Sequence, residues 1–492
     1  EAGVRPARAA RPASDRPFHA VVLGDFSGRS TRGARGDQSA ISTRQPLLVD
    51  RDNLDAVLAR TAPSLELTQA GGAEPLHLSF AELDDFHPDR LYDRLAASGI
   101  FGANLDESAR PDGDSGFETG RTGKTGERGS QPAAPAPPPP VPGALLDQIV
   151  SESTPDVDLA TSDRGLQDFV RRIVAPHEVP RSDPRHAESL ARLDETIAEH
   201  LREILHRQDF QALEALWRGV SLVCRRVETS PLLKLFLVDV SQAELALDQM
   251  PEVPLHETEL YRLLVESTIG TPGSVPWSLI VGCYSFGPGM EDAKLLARLG
   301  AIAKLAGAPW LSGAESALVG CPSFGTAPDP DMWAKQEDDG WEAVRLLPYA
   351  GWLGLAMPRF LLRLPYGKDT DECEKLMFEE MVEEQPEHES YLWGNPALLC
   401  TLLLLQEVAA HGWEFRPGSK LEVRGLPLHT FRRDGKVIAQ PCAEALLTER
   451  ALTRITDRGL MAFASLKDRD AVRLLRLQSV SNPPTSLDGP WA

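Results

Sequence analysis

Residues 209–241 read DFQALEALWRGVSLVCRRVETSPLLKLFLVDVS, and this stretch decides the fold class. Apolar side chains recur at Leu213, Leu216, Trp217, Val220 and Val223, the spacing that places them along one helix face. Asp209 stands where its carboxylate can accept a first-turn N–H, which predicts a helix over 209–227 with Asp209 as N-cap. After Pro231 the pattern becomes a continuous run, 232–240, suited to a strand buried on both faces. A helix feeding a buried strand is half of an α/β unit. Taken alone, it speaks of a core and not of chemistry.

The alternation continues outward. Helices are predicted at 145–151, 163–174, 186–206, 258–268, 291–307 and 397–411, and strands at 278–286, 352–357 and 359–364. This order calls for an α/β sheet covered by helices on both faces. From 421 the text shifts to short strands at 421–424, 427–431 and 436–439, with a turn at Arg433-Asp434-Gly435, read as a smaller α+β subdomain. Residues 1–17 have a disordered composition. Beyond them, strands at Phe18–Leu23 and Pro46–Asp50, a short helix Asn53–Arg60, a hairpin around Gly71-Gly72 and a helix through Leu95 make a small, mainly-β region. Residues 103–143, with Gly at 120, 123, 126 and 129 and then Pro137–Pro140, cannot bury enough apolar surface to fold. The expected fold is therefore α/β. A mainly-β domain (18–102) is tethered by a linker (103–143) to a larger α/β domain (144–415) with a short α+β subdomain (416–492).

A net charge of −21 argues against a nucleic-acid binder, which must neutralise phosphates with a basic face. The longest apolar run, 397–405, falls short of the about 20 residues a bilayer span requires. The six cysteines are scattered without a C-x-x-C, which reads as reduced, buried thiols of a cytoplasmic protein. No apolar segment of a secretory signal follows the N-terminal arginines.

Chemistry has few candidates. Gly123-Lys124-Thr125 lacks the earlier glycine and the preceding strand of a phosphate loop, and Arg35-Gly36-Asp37 is a chance tripeptide in a loop. His186, His200 and His206 are not spaced to meet on one helix face. Asp84, Asp85 and His87 form the best polar cluster; a metal or acid–base site is one reading, a solvated turn with a capping Asp the other. The acidic run Glu379-Glu380 and Glu383-Glu384 reads as a hydrated helix face. No catalytic residue, cofactor or metal is expected; an enzyme built on Asp84, Asp85 or His87 is the reading from another class.

Phe210–Glu214 with Trp217-Arg218-Gly219, Pro358–Gly367 and Asp25–Gly28 carry motifs that resemble those of contractile sheath subunits of the type VI secretion system. Phe210, Leu213, Glu214, Trp217, Arg218 and Gly219 are similar to an "FQxLE..WRGL" signature of the large subunit. Pro358, Arg359, Phe360, Arg363, Pro365, Tyr366 and Gly367 fall in a near-complete "PRFLLRLPYG", and Trp393-Gly394-Asn395 follows in family order. Asp25-Phe26-Ser27-Gly28, then Asp50 and Asp52, then Asp85, Phe86 and Pro88 are similar to motifs of the small subunit. The resemblance implies a fusion of both subunits, structural and non-enzymatic, in the bacterial cytoplasm. The implied partners are copies of itself or other sheath subunits, an inner tube protein and a baseplate. A sheath-recycling AAA+ ATPase would contact the helix carrying Leu145, Leu146, Ile149 and Val150. Both parts are shorter than the family pattern where strand-exchanging arms are expected. The alternative is accordingly a sheath-derived accessory, cap or adaptor that does not polymerise.

Overall fold

A computed structural model describes residues 12–31, 40–67, 76–97, 184–269, 271–335, 339–382 and 386–491. Two compact units are present, one of residues 1–102 with 193–492, the other of 103–192; the first carries the fold. The linker, the helices expected at 145–151 and 163–174, Gly71-Gly72 and the tripeptides at 35–37 and 123–125 lie outside the described residues.

The strands in chain order are β1 (Phe18–Gly24), β2 (Leu47–Val49), β3 (Ser64–Leu67), β4 (Leu76–Ser79), β5 (Leu233–Asp239), β6 (Leu279–Phe286), β7 (Trp310–Ala314), β8 (Leu353–Met357), β9 (Phe360–Leu361), β10 (Trp393–Gly394), β11 (Glu422–Arg424), β12 (Thr430–Arg433), β13 (Lys436–Ala439), β14 (Met461–Ser465) and β15 (Ala471–Leu474). Nine of them form one sheet in the order β11-β15-β14-β8-β7-β6-β1-β5-β2. From β14 to β5 all neighbours are parallel, while β2 and β15 pair antiparallel with the strands they flank.

Alternation along each strand feeds two cores. Ala20, Val22, Leu279, Val281, Leu311 and Ala356 face the helices Gln208–Arg226 and Ala397–His411. Val21, Leu23, Ile280, Trp310 and Leu355 face the helix Met290–Ala306. Ala397–His411 is apolar nearly all round because it is covered by the sheet on one side and by Gln208–Arg226 on the other. Gly219 permits that approach: a Cβ there would lie 2.4 Å from Leu398 Cδ1.

Several expectations are corrected by the structure. The helix at 209 begins one residue earlier, with Arg207 as N-cap; Asp209 sits in the first turn, paired to Arg207 at 2.8 Å. The strand predicted at 359–364 shrinks to the two residues of β9, since Arg363 turns inward to meet buried carboxylates. The helix at 258–268 contains a π turn, Arg262–Glu266. Finally, β11, β14 and β15 extend the large sheet instead of forming a sheet of their own. The hairpin β12–β13 stands apart, turned by Asp434 and Gly435 at φ 50° and 72°, the paired positive values of a type I′ turn.

Candidate functional site

The most informative region is the joint between residues 12–97 and 193–491. β1, FHAVVLG, lies between β5 and β6. It pairs with β5 from Phe18↔Leu233 to Gly24↔Asp239, and with β6 from Ala20↔Leu279 to Leu23↔Gly282. β2 takes the other edge of β5, Leu47↔Leu237 to Val49↔Leu235. Both edges of β5 are thus occupied by strands from the first 50 residues. Among the described residues the expected mainly-β region has no sheet of its own beyond the β3–β4 hairpin; its leading strand is a central member of the larger sheet. Phe18, Val21, Val22 and Leu23 are each at most 1% exposed. At about 1.5–3 kcal/mol per large apolar side chain, their burial supplies on the order of 10 kcal/mol, an upper estimate. That is comparable with the whole stability of an ordinary domain.

Aromatic rings seal the joint. Phe18 packs on Trp413 with ring centroids 5.3 Å apart, and on Phe415 and Trp491 beyond it. Phe26 meets Trp217 at 5.2 Å, and its carbonyl accepts the indole N–H at 3.0 Å. Phe80 and Phe86 stack at 4.2 Å and both contact Phe210 edge-on.

The polar motif residues of the first region shape and anchor its turns. The Asp25 carboxylate accepts the N–H groups of Arg29 and Ser30. Ser27 N–H and Arg29 Nε donate to Asp239 at 3.0 and 2.7 Å, tying the loop to the end of β5. Gly28 has φ +71°, and a Cβ there would stand 2.6 Å from the Ser64 carbonyl oxygen. Asp50 accepts N–H groups of Asp52 and Asn53 ahead of the helix Leu54–Thr61, and Asp52 is exposed. Asp85 accepts the Ala81 N–H at 2.6 Å and pairs with Arg94 at 2.6 Å, while Phe86 is fully buried and Pro88 opens the helix Pro88–Ala97. Asp84 is exposed. The three residues of the polar cluster diverge: Asp85 caps, Asp84 faces solvent, and His87 stacks edge-on against Tyr366.

The large-subunit motifs meet in a buried ion network. Glu214, fully buried in mid-helix, accepts from Arg218 Nε at 2.6 Å and Arg363 Nε at 2.9 Å. Arg363 also reaches Glu380 at 2.7 Å and lies 4.1 Å above the Tyr366 ring. Tyr366 N–H donates to Glu380 at 2.8 Å, and its hydroxyl accepts from Arg218 at 2.8 Å. Burial opposes ionisation of Glu380, but Arg363, His206 and the Tyr366 N–H outweigh it and hold the carboxyl at about 2. Burial likewise works against the Arg363 charge, and Glu214 and Glu380 overcome it, raising the guanidinium well above its ordinary value. The hydrated-helix reading of Glu379-Glu380 is corrected here: Glu380 is 2% exposed and lies in no helix, its charge matched by Arg363. Glu383 and Glu384 lie outside the described residues.

The other motif residues are structural. Arg359 bridges Glu389 and Glu444 at 2.9 and 2.7 Å. Asn395 Oδ1 accepts the Ala397 N–H at 3.0 Å ahead of the N-cap Pro396, and its amide donates to the Tyr284 carbonyl at 2.9 Å. Gly394 lies under Phe360, and Gly367 under the Glu379 carboxylate. Pro358 and Pro365 flank β9, and Trp393 pairs across it in β10. Arg29 and Arg44 clamp the first region to Asp239 at the end of β5 and to Glu244 of the capping box at Ser241. Their separation in sequence leaves no local signal. Leu145, Leu146, Ile149 and Val150 lie outside the described residues. No helix among the described residues is long and apolar enough to cross a membrane.

Two family profiles match the chain. VipB, described as EvpB/VC_A0108, tail sheath N-terminal domain, matches residues 187–481. Type VI secretion system, VipA, VC_A0107 or Hcp2 matches residues 8–97. The chain is also similar to the type VI secretion system sheath protein TssC1 of Pseudomonas aeruginosa, 30% identical over 304 residues, 60% of this chain and 61% of that relative. It thus spans about three-fifths of the relative's length. The joint described above lies between the two matched segments, and the larger covers more than half of the sequence, so the chain belongs to the VipB tail-sheath family and carries a VipA-matched region in the same polypeptide.

Proposed function

We propose that this chain is a structural subunit of the contractile sheath of a type VI secretion apparatus, with its small-subunit and large-subunit parts carried as one preassembled body. The observation that supports the reading best is the position of β1 inside the sheet of the large part, between β5 and β6. A polypeptide tether of about 40 residues raises the effective concentration of one part for the other and so favours this pairing. The motif side chains are engaged in packing, capping and ion pairing, as a scaffold requires.

On this reading, copies of the chain, alone or with other sheath subunits, form a helix around an inner tube and rest on a baseplate in the bacterial cytoplasm. A head-to-tail contact that does not close produces such a filament. Contraction releases free energy held in a metastable extended packing. A recycling AAA+ ATPase would grip the segment with Leu145, Leu146, Ile149 and Val150. Negative-stain electron microscopy of the purified chain, with and without the inner tube protein, tests this. Tubes or stacked rings are expected. Uniform small particles under both conditions would replace the proposal with the alternative, an accessory, cap or adaptor that does not polymerise.

A further inference from the structure

We propose that His87, Asp89 and Cys373 form a zinc site that pins residues 76–97 to the loop 366–380. One ligand atom from each residue lies within 4.8 Å of the other two. Cys373 is 7% exposed, and the side chains of His87 and Asp89 are 21% and 17% exposed, so water has restricted access.

The Asp89 carboxylate is held in place before any ion arrives, and His87 has one long bond to exchange. His87 Nδ1 accepts the Asp89 N–H at 3.2 Å, so the neutral ring carries its proton on Nε2. Nε2 faces Asp371 Oδ1 at 4.0 Å, the carboxylate that would orient the ring as a ligand's outer partner. Nδ1 then presents its lone pair beside Asp89 Oδ2, 3.5 Å away. A metal would take the place of the long bond from the Asp89 N–H. The Asp89 carboxylate is itself positioned by the N–H groups of Glu374 and Lys375 at 3.0 and 3.1 Å, which leaves a lone pair on each oxygen.

The carboxylate of Asp371, 4.0 Å from His87 Nε2, and that of Asp89, 3.5 Å from Nδ1, place negative charge beside the donors, which attracts a dication. On coordination the thiol proton passes to solvent, sulfur binds as thiolate, and water completes a tetrahedron. Bonds of about 2.0–2.3 Å require the ligand atoms to sit roughly 3.3–3.7 Å apart, a closure within reach of side-chain rotation. Mixed sulfur, nitrogen and oxygen donors favour zinc over calcium or magnesium. The inference stands independently of the sheath reading.

The test is metal titration of the intact chain after chelator treatment. Zinc is followed by competition calorimetry, and cobalt(II) by the thiolate-to-metal charge-transfer band. One equivalent bound through sulfur is expected, with Cys373→Ser and His87→Gln each lowering affinity by about tenfold or more and abolishing the band. Zinc should raise the thermal midpoint of the parent and not of either variant. No charge-transfer band, or binding equal in parent and both variants, overturns the site as adventitious surface binding. Should Cys373→Ser fail to fold, His87→Gln, at a partly exposed position, decides alone.

Discussion

Replacing Arg363 with methionine removes the cation that touches both Glu214 and Glu380 while keeping an apolar stem over the Tyr366 ring. Glu214 retains Arg218, and Glu380 retains His206 at 3.7 Å and the Tyr366 N–H. Breaking a buried pair from one side costs about 3–5 kcal/mol, because a charge remains without its counter-ion. Against burial, Arg363, His206 and the Tyr366 N–H together lower the Glu380 carboxyl from 4.5 to about 2, a gap worth about 3 kcal/mol in which Arg363 has the largest share. Since the folded value is depressed, that stability is fully present above the unfolded value near 4.5 and is lost as pH falls toward 2. Urea denaturation followed by tryptophan fluorescence at pH 7 and again near pH 3.5 reads both effects. The expected result is a loss of about 3 kcal/mol at pH 7 together with a flatter acid dependence in the variant. A variant within about 1 kcal/mol of the parent, or one with the parent's acid slope, would refute the network as a source of stability.

Proteolytic cleavage within 103–143 should leave two fragments that co-elute in size exclusion, held by the ladders on β1; separation into independent soluble monomers would contradict the joint. Val21→Asp places an unpaired charge at a fully buried site in mid-sheet, so the cleaved variant should dissociate or precipitate where the cleaved parent does not. Gly28→Ala should lower stability by about 1–3 kcal/mol in thermal denaturation, because the residue has a positive φ and the added Cβ meets the Ser64 carbonyl; an unchanged midpoint rejects the strain argument. Asp85→Ala removes a cap and the Arg94 pair, so about 1–2 kcal/mol should be lost in urea denaturation while assembly persists; abolished assembly at unchanged stability would reopen a chemical role.

What could be read from the residues follows from where the signal is local. The helix at Gln208–Arg226 and strand β5 declare themselves by periodicity, and each lies within a residue or two of expectation. β7 has no local strand signal because WLSGA carries Ser and Gly in a fully buried strand: Ser312 is satisfied by the Gly282 carbonyl, which no local pattern shows. The helix Glu449–Asp457 and strands β14 and β15 were absorbed into a supposed subdomain, since short elements near an edge resemble a small α+β unit until their neighbours are known. The insertion of β1 had no local signature, because FHAVVLG suits any buried parallel strand and its register with Leu233 depends on partners some two hundred residues away. Glu380 hides its role for a related reason: an acidic pair looks solvated until Arg363 arrives from elsewhere in the chain. His87 stands beside Asp84 and Asp85 in sequence, whereas Cys373 comes near it only through folding.

The threading of β1 between two strands of the larger part has a mechanical corollary. Pulling the parts from one another means tearing two adjacent ladders in the middle of a sheet at once, so the joint has no low-energy axis about which to swivel. Any large-amplitude motion of an array built from this chain must then be taken up between copies, with each copy travelling as a stiff brick.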